Sequence, residues 1–330
     1  MKINCFMRIG LMLLIVFSCA NDKTPIKNKY KKRSPMADYF LMEGNKFLKK
    51  HDFKRALALA DSAELYAIKK DDVYFFKGRI YSELGRFSKA DQAYNYTINI
   101  NPDYIGAWNN LGNNAFRQQN FSQAVEYYKK EIIKNKTSIP FRALGRAYVE
   151  LGKTDSARIC FQHSIDINNN YASAYLNLAQ LEEDEGNLNK ALNHASRAYA
   201  LEPNNIEYQY VYSTILVQMD RGKEAIYSLR EIIKEWPWHH GAHYNLARAL
   251  IQSGQKIEGQ QYLDKSEKIR ATQAKIDHLE NTIRALPDDP YSYAALAFAL
   301  RKVGRFNAVS YTHLRAHETR HDLVCRLLLE

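Results

Sequence analysis

The feature that most constrains this chain is a recurrence of about 34 residues. Gly85-Arg86-Phe87 and Gly304-Arg305-Phe306 are near copies, and between them Gly152-Lys153, Gly186-Asn187-Leu188 and Gly222-Lys223 recur at corresponding positions. Each of these three is followed a few residues later by a small residue: Ala157, Ala191 or Ala225. Each unit reads as a helix, a short Gly-containing turn and a second helix. Three units then break at Pro102, Pro203 and Pro237, since proline removes a helical hydrogen bond and clashes with the preceding turn. One such hairpin cannot bury its apolar stripe alone, so only stacked copies make a core. The expectation is an all-α fold. With 14 Gly and 8 Pro in 330 residues, the chain is too poor in turn formers for a β-sandwich or barrel.

Within the units the spacing is specific. The unit 71–104 carries Tyr74, Gly78, Tyr81, Ala90, Tyr94 and Pro102; the unit 105–138 carries Trp108, Leu111, Gly112, Ala124 and Tyr128. The next, at about 138–171, has Phe141, Leu144, Gly145, Tyr148, Ala157 and Phe161. Further units fall at 172–205 and 206–239, with weaker ones at 37–70 and 240–273. The pattern resembles the tetratricopeptide repeat. It implies an α-α superhelix of about seven to eight helix-turn-helix repeats across 36–308, the last cut short. After Gly259 a helical pattern continues through Leu263, Ile269, Ile276, Leu279 and Ile283 to Leu286, about 16 residues beyond a normal repeat. An extended second helix is expected there.

Both ends read differently. Residues 1–18 have a basic start and a short apolar run, the form of a secretory signal. The run is too short to cross a bilayer, which takes roughly 20 residues. Val16-Phe17-Ser18-Cys19 resembles a bacterial lipobox, so Cys19 is the expected lipid-attachment site and 19–35 a basic linker. A lipid-anchored protein of the bacterial cell envelope facing the periplasm follows; the neutral Ala20-Asn21 favours the outer membrane. At the other end, Val309–Thr319 and Leu323–Glu330 match an in-frame translation of a transposon-type sequencing adapter. Residues 309–330 are therefore expected to be an artefactual tail, and His313, His317 and His321 within it are given no role as a metal stripe.

Charge and cysteine use agree with that division. The formal charge is +11, but Asp22–Arg33 alone contributes +5 and Ser34–Ala308 only +4. The basic excess belongs to the linker and is no nucleic-acid footprint on the fold. Of the 4 cysteines, Cys160 alone remains in the body, so a disulfide framework is excluded.

Candidate chemistry is sparse. The chain has no phosphate loop, nucleophile elbow or zinc-protease pair, and neither catalysis nor a cofactor is expected. His239, His240 and His243 are the best metal candidates, though packing and turn roles suit them better. Glu182-Glu183-Asp184-Glu185 reads as a solvated face, and Trp236 and Trp238 as packing around Pro237. The resemblance implies that the inner face of each first helix binds peptide. In that register the ninth position holds Arg79, Asn113, Arg146 and Arg248, and the fifth holds Asn109, Arg142, Tyr210 and Tyr244. These eight form the expected groove, suited to a peptide backbone and its carboxylates. The family's carboxylate clamp is not reproduced, because Asn109 stands where a lysine would. The expected function is a non-catalytic protein- or peptide-binding scaffold or adaptor. The alternative is the N-terminal repeat region of a larger sensor or enzyme whose catalytic domain is missing through truncation.

Overall fold

The computed structural model describes residues 34–286, 289–302 and 305. The leader, Cys19, the linker up to Arg33, Gly304, Phe306 and the tail 309–330 lie outside the described residues. Fifteen helices and no strand are found among the described residues. They come as seven antiparallel pairs: α1 (Pro35–Lys49) with α2 (Phe53–Tyr66), α3 (Asp71–Glu83) with α4 (Phe87–Ile100), and α5 (Ala107–Arg117) with α6 (Phe121–Lys134). Then follow α7 (Ser138–Glu150) with α8 (Thr154–Ile167), α9 (Ala172–Asp184) with α10 (Leu188–Leu201), and α11 (Ile206–Gln218) with α12 (Gly222–Glu235). The last pair is α13 (His240–Gln252) with α14 (Lys256–Ala285), and α15 (Pro290–Lys302) begins an eighth unit. Below, the first helix of a pair is helix A and the second is helix B.

In each of the seven complete pairs the A–B turn is three residues long, and its middle residue has a left-handed backbone. Gly85, Gly152, Gly186 and Gly254 hold it with φ of 68–87°, while His51, Gln119 and Asp220 hold it with φ of 57–60°. The next N–H reaches back five residues, as in Asn120 N to Ala115 O at 2.8 Å and Arg221 N to Leu216 O at 2.9 Å. That closes the helix end with its carbonyls satisfied. Reading the sequence by glycine alone puts Gly222 in this slot; the structure puts Asp220 there. Gly222 instead opens α12, where an added Cβ would lie 2.8 Å from the Ala249 backbone.

Packing within a pair follows one rule. A Cβ added at Gly78, Gly112 or Gly145 would stand 2.5 Å from the ring of Tyr94, Tyr128 or Phe161, the aromatic of the same repeat's helix B. Where the helix A residue grows, the helix B residue shrinks: Ala179 faces a repeat with Ala195, and Ser213 one with Leu229, all buried. The first repeat has Gly44 but only Ala60 at the aromatic position. The space is taken by Phe76 from the following helix A, whose ring would be 2.7 Å from a Gly44 Cβ.

Helix α14 is 30 residues long, against 14 for each other helix B. Its C-terminal half supplies Ile276, Leu279 and Ile283 to a small core with Leu296, Ala299 and Leu300 of α15 and with Trp238. The extended second helix expected from the sequence is present. Trp238 braces it, and Trp236 stacks on His239 at 5.8 Å. None of the described helices is long and apolar enough to cross a membrane.

Candidate functional site

Four of the eight groove residues meet in one place. Asn109 and Asn113 of α5 and Arg142 and Arg146 of α7 line a cleft of about 570 Å³, closed off by Phe116 and Tyr128. Asn109 owes its position to an unusual start of helix α5. At the equivalent point of other repeats a small hydroxyl on helix B bonds the first helix A carbonyl, as Thr97 does to Asp71 and Ser164 to Ser138. Here the residue is Glu131, buried, and its carboxylate accepts Gly106 N–H at 2.8 Å and Asn109 N–H at 3.2 Å. Gly106, with φ of 90°, has no side chain to cap the helix. A carboxylate at a helix N-terminus serves that need and suits the helix dipole.

The polar groups of the cleft differ in how far they are already engaged. The Oδ1 of Asn109 is shielded from water and takes no hydrogen bond. The Oδ1 of Asn113 accepts the Tyr128 hydroxyl at 2.9 Å, which turns the amide's N–H₂ group outward. Burial of Tyr128 pushes its phenol well above the usual range, so it stays a donor. Arg142 is partly used: its Nε donates to the Tyr171 hydroxyl at 2.8 Å and its Nη1 to Asn177 Oδ1 at 3.5 Å. Arg146 is exposed, with its guanidinium over the Phe116 ring at 4.9 Å. It has no carboxylate partner among the described residues. An outward amide and a two-pronged cation without a carboxylate partner thus face one space, while the Asn109 Oδ1 lies buried beneath it.

The other four lie elsewhere. Arg79 is one repeat away, lashed to Asn45 Oδ1 at 2.9 Å. Tyr210 is wedged between α11 and α13, its hydroxyl accepting from Asn245 at 3.4 Å. Tyr244 lines a second cleft beside α14, and Arg248 sits on α13 outside both. The polar stripe is therefore interrupted by bonds between neighbouring helices A. Sequence register missed Arg117, which also lines the first cleft. It donates to Ser82 O at 2.7 Å from over the Phe87 ring, and only its place four residues beyond Asn113 could have shown it.

The remaining candidates resolve into structure. His239 caps α13 by accepting Ala242 N–H at 3.0 Å through Nδ1. His243 is fully buried against Tyr262, with Nε2 3.0 Å from Pro237 O. Burial holds both imidazoles below the usual histidine range, which favours their neutral form. Among the described residues no group of three or more His, Cys, Asp or Glu is placed to hold a metal. In the acidic run, Glu182 is buried and pairs with Arg158 at 2.9 Å, Glu185 pairs with the same guanidinium, and Glu183 accepts from Gln218 at 2.6 Å. Burial raises the Cys160 thiol to about 11, which leaves it inert.

Comparison with known proteins agrees with this architecture. The tetratricopeptide-repeat family pattern matches residues 71–104, 105–130 and 143–171. The pattern of the anaphase-promoting complex, cyclosome, subunit 3 matches 184–266. Among solved structures, one from work on Pseudomonas aeruginosa pilF is 16% identical, covers 63% of this chain and 95% of its own, and superposes with a TM-score of 0.55. PilW, a widely conserved type IV pilus biogenesis factor, is 15% identical, with coverage of 63% and 97% and a TM-score of 0.55. A tetratricopeptide repeat protein from Parabacteroides merdae is 16% identical, with coverage of 71% and 93% and a TM-score of 0.51. The described residues form a helix-turn-helix solenoid with the fold of tetratricopeptide-repeat structures, and three of its repeats match that family's pattern. Such repeats are in general protein-interaction scaffolds and typically non-catalytic.

Proposed function

We propose that this chain is a non-catalytic scaffold or adaptor that grips an extended peptide segment of a partner protein in the cleft between α5 and α7. The supporting observation is the convergence of the outward Asn113 amide, the Arg146 guanidinium without a carboxylate partner and the partly engaged Arg142 on one cleft. An extended peptide offers N–H donors and C=O acceptors at spacings such amides match, and an acidic side chain or C-terminus suits Arg142 and Arg146. The scaffold works at the bacterial envelope, held by lipid on Cys19 and facing the periplasm, with the basic linker 19–35 against anionic headgroups. An outer-membrane placement follows from the neutral residues after Cys19.

Charge-assisted hydrogen bonds are worth about 1.5–3 kcal/mol where water is partly excluded. Arg142→Ala with Arg146→Ala is therefore expected to weaken partner capture from the native envelope at least tenfold, with helicity unchanged. Lys129→Ala is the matched control, since Lys129 only pairs with Glu126 on the exposed side of α6. Lys130 is unsuitable, because its ammonium packs on the Trp108 ring at 4.5 Å. Equal capture by wild type and the double variant would dismiss the cleft. Cys19→Ala is expected to abolish acyl labelling and membrane retention, and persistence of both would dismiss the anchor.

A further inference from the structure

The two ends of the described solenoid are complementary halves of one repeat-to-repeat interface. In each interior repeat, the third residue of the repeat, on helix A, is buried against the preceding repeat: Val73, Ala107, Pro140, Ala174, Tyr208 and Ala242. The sixth is buried or half-buried in the same way, as with Phe76, Val211 and Asn245. In α1 these two positions hold Tyr39 and Met42, which are 53% and 52% exposed. Both are large and apolar, whereas the end of a repeat array needs a polar face to stay soluble alone.

The other half lies beside α14. The extra length of that helix carries α15 away, to pack on Ile276, Leu279 and Ile283. The place where the next helix A would sit against α13 and the first half of α14 is a cleft of about 330 Å³, walled by Gly241, Tyr244, Leu263 and Arg270 among others. No residue of α15 lines it. Its exposure matches a missing neighbour. Tyr244 is 48% exposed, whereas its counterpart Leu176 is buried and Tyr210 is half-covered by Asn245 of the next helix A.

We propose that a second copy of this chain fills the cleft, with α1 of one molecule docking as the missing helix A beside α13 and α14 of another. The interior repeats fix the register. Ser173, the second residue of its repeat, meets Tyr208, the third residue of the next, at 2.9 Å. Asn245, a sixth residue, meets Tyr210 and Thr214, a fifth and a ninth. Carried across the junction, Tyr39 lies on Gly241, and Met42 lies between Tyr244 and Arg248. Charge is mixed on both sides: Glu43 of α1 is paired with Lys46 at 2.6 Å, and the cleft wall holds Glu267 together with Arg270. The contact joins a head to a tail, so it does not close on itself and leads to open oligomers. Being one repeat interface wide, it is small and reversible.

The test is sedimentation of the full chain in mild detergent across a hundredfold concentration range. Wild type is expected to form a concentration-dependent ladder of oligomers. Tyr39→Glu with Met42→Glu (head variant), or Tyr244→Glu (tail variant), is expected to weaken association at least tenfold with unchanged circular dichroism. Mixed together, the two variants retain one good head and one good tail and should form dimers, and nothing larger. Wild type that stays monomeric throughout would overturn the proposal. So would variants that associate like wild type, as when detergent or the linker holds the molecules together, or a mixture that fails to give dimers. None of these readouts depends on the α5–α7 cleft, so the peptide-binding proposal stands or falls apart from this one.

Discussion

Single residues decide how closely the helices of each pair approach. Gly112 is in van der Waals contact with the Tyr128 ring, and a methyl group there would lie 2.5 Å from it. Alanine gains about 1 kcal/mol of helix propensity over glycine, but overpacking a filled core costs about 1–3 kcal/mol. Gly112→Ala is expected to lower stability on balance, and adding Tyr128→Leu should recover part of the loss. Additive losses in a double-mutant cycle of melting or denaturant unfolding would contradict the contact. A second residue-scale effect comes from histidine. His194, His239 and His243 are all held below the usual value of 6.5 by burial. In the unfolded chain these imidazoles take up protons as pH falls through about 6.5, and in the folded chain they do so only at lower pH. The stability they contribute is full above that point and is lost on acidification below it. The melting temperature is expected to drop between pH 7.5 and pH 5.5. His243→Phe, which restores an aromatic at the fourth repeat position, should flatten part of that slope; an unchanged slope would contradict the assignment.

At the scale of the helices, sequence and structure agree where one residue type has one cause. Prolines and the small–aromatic spacing located the pairs, because a helix stop and a close helix contact each need a particular residue. The 30-residue α14 was legible for the same reason, its apolar positions running on without a break to Leu286. Turns were less legible. His51, Gln119 and Asp220 occupy left-handed positions that glycine fills in the other four repeats, and the resemblance of Gly222 to a turn glycine hid Asp220. A left-handed conformation costs a non-glycine residue about 1–2 kcal/mol, partly offset by the greater freedom glycine loses on folding. Asp220→Gly is therefore expected to raise stability by a few tenths to about 1 kcal/mol. A loss in chemical denaturation would show that the Asp220 carboxylate, which accepts from Gln252 at 2.8 Å, outweighs the backbone strain.

Across the whole molecule, the candidate site was half legible. Repeat register placed Asn109, Asn113, Arg142 and Arg146 on neighbouring helices A, and the structure gathers them around one cleft. It could not show that Arg79 is tied to Asn45, or that Tyr210 is wedged between helices. Such bonds between repeats depend on which partner stands 34 or 35 residues away, and a single-repeat pattern does not record it. Nor could it show Glu131, whose buried carboxylate replaces a cap that Gly106 cannot supply. The proposal that the α5–α7 cleft is the recognition site is tested most directly by placing a photo-crosslinking residue at Asn113. The matched control carries it at Glu126 on the outer helix α6, and both are illuminated in the native envelope. A covalent partner adduct is expected from position 113, lost when Arg142→Ala and Arg146→Ala are added, and none from position 126. An adduct from 126 with nothing from 113 would contradict it.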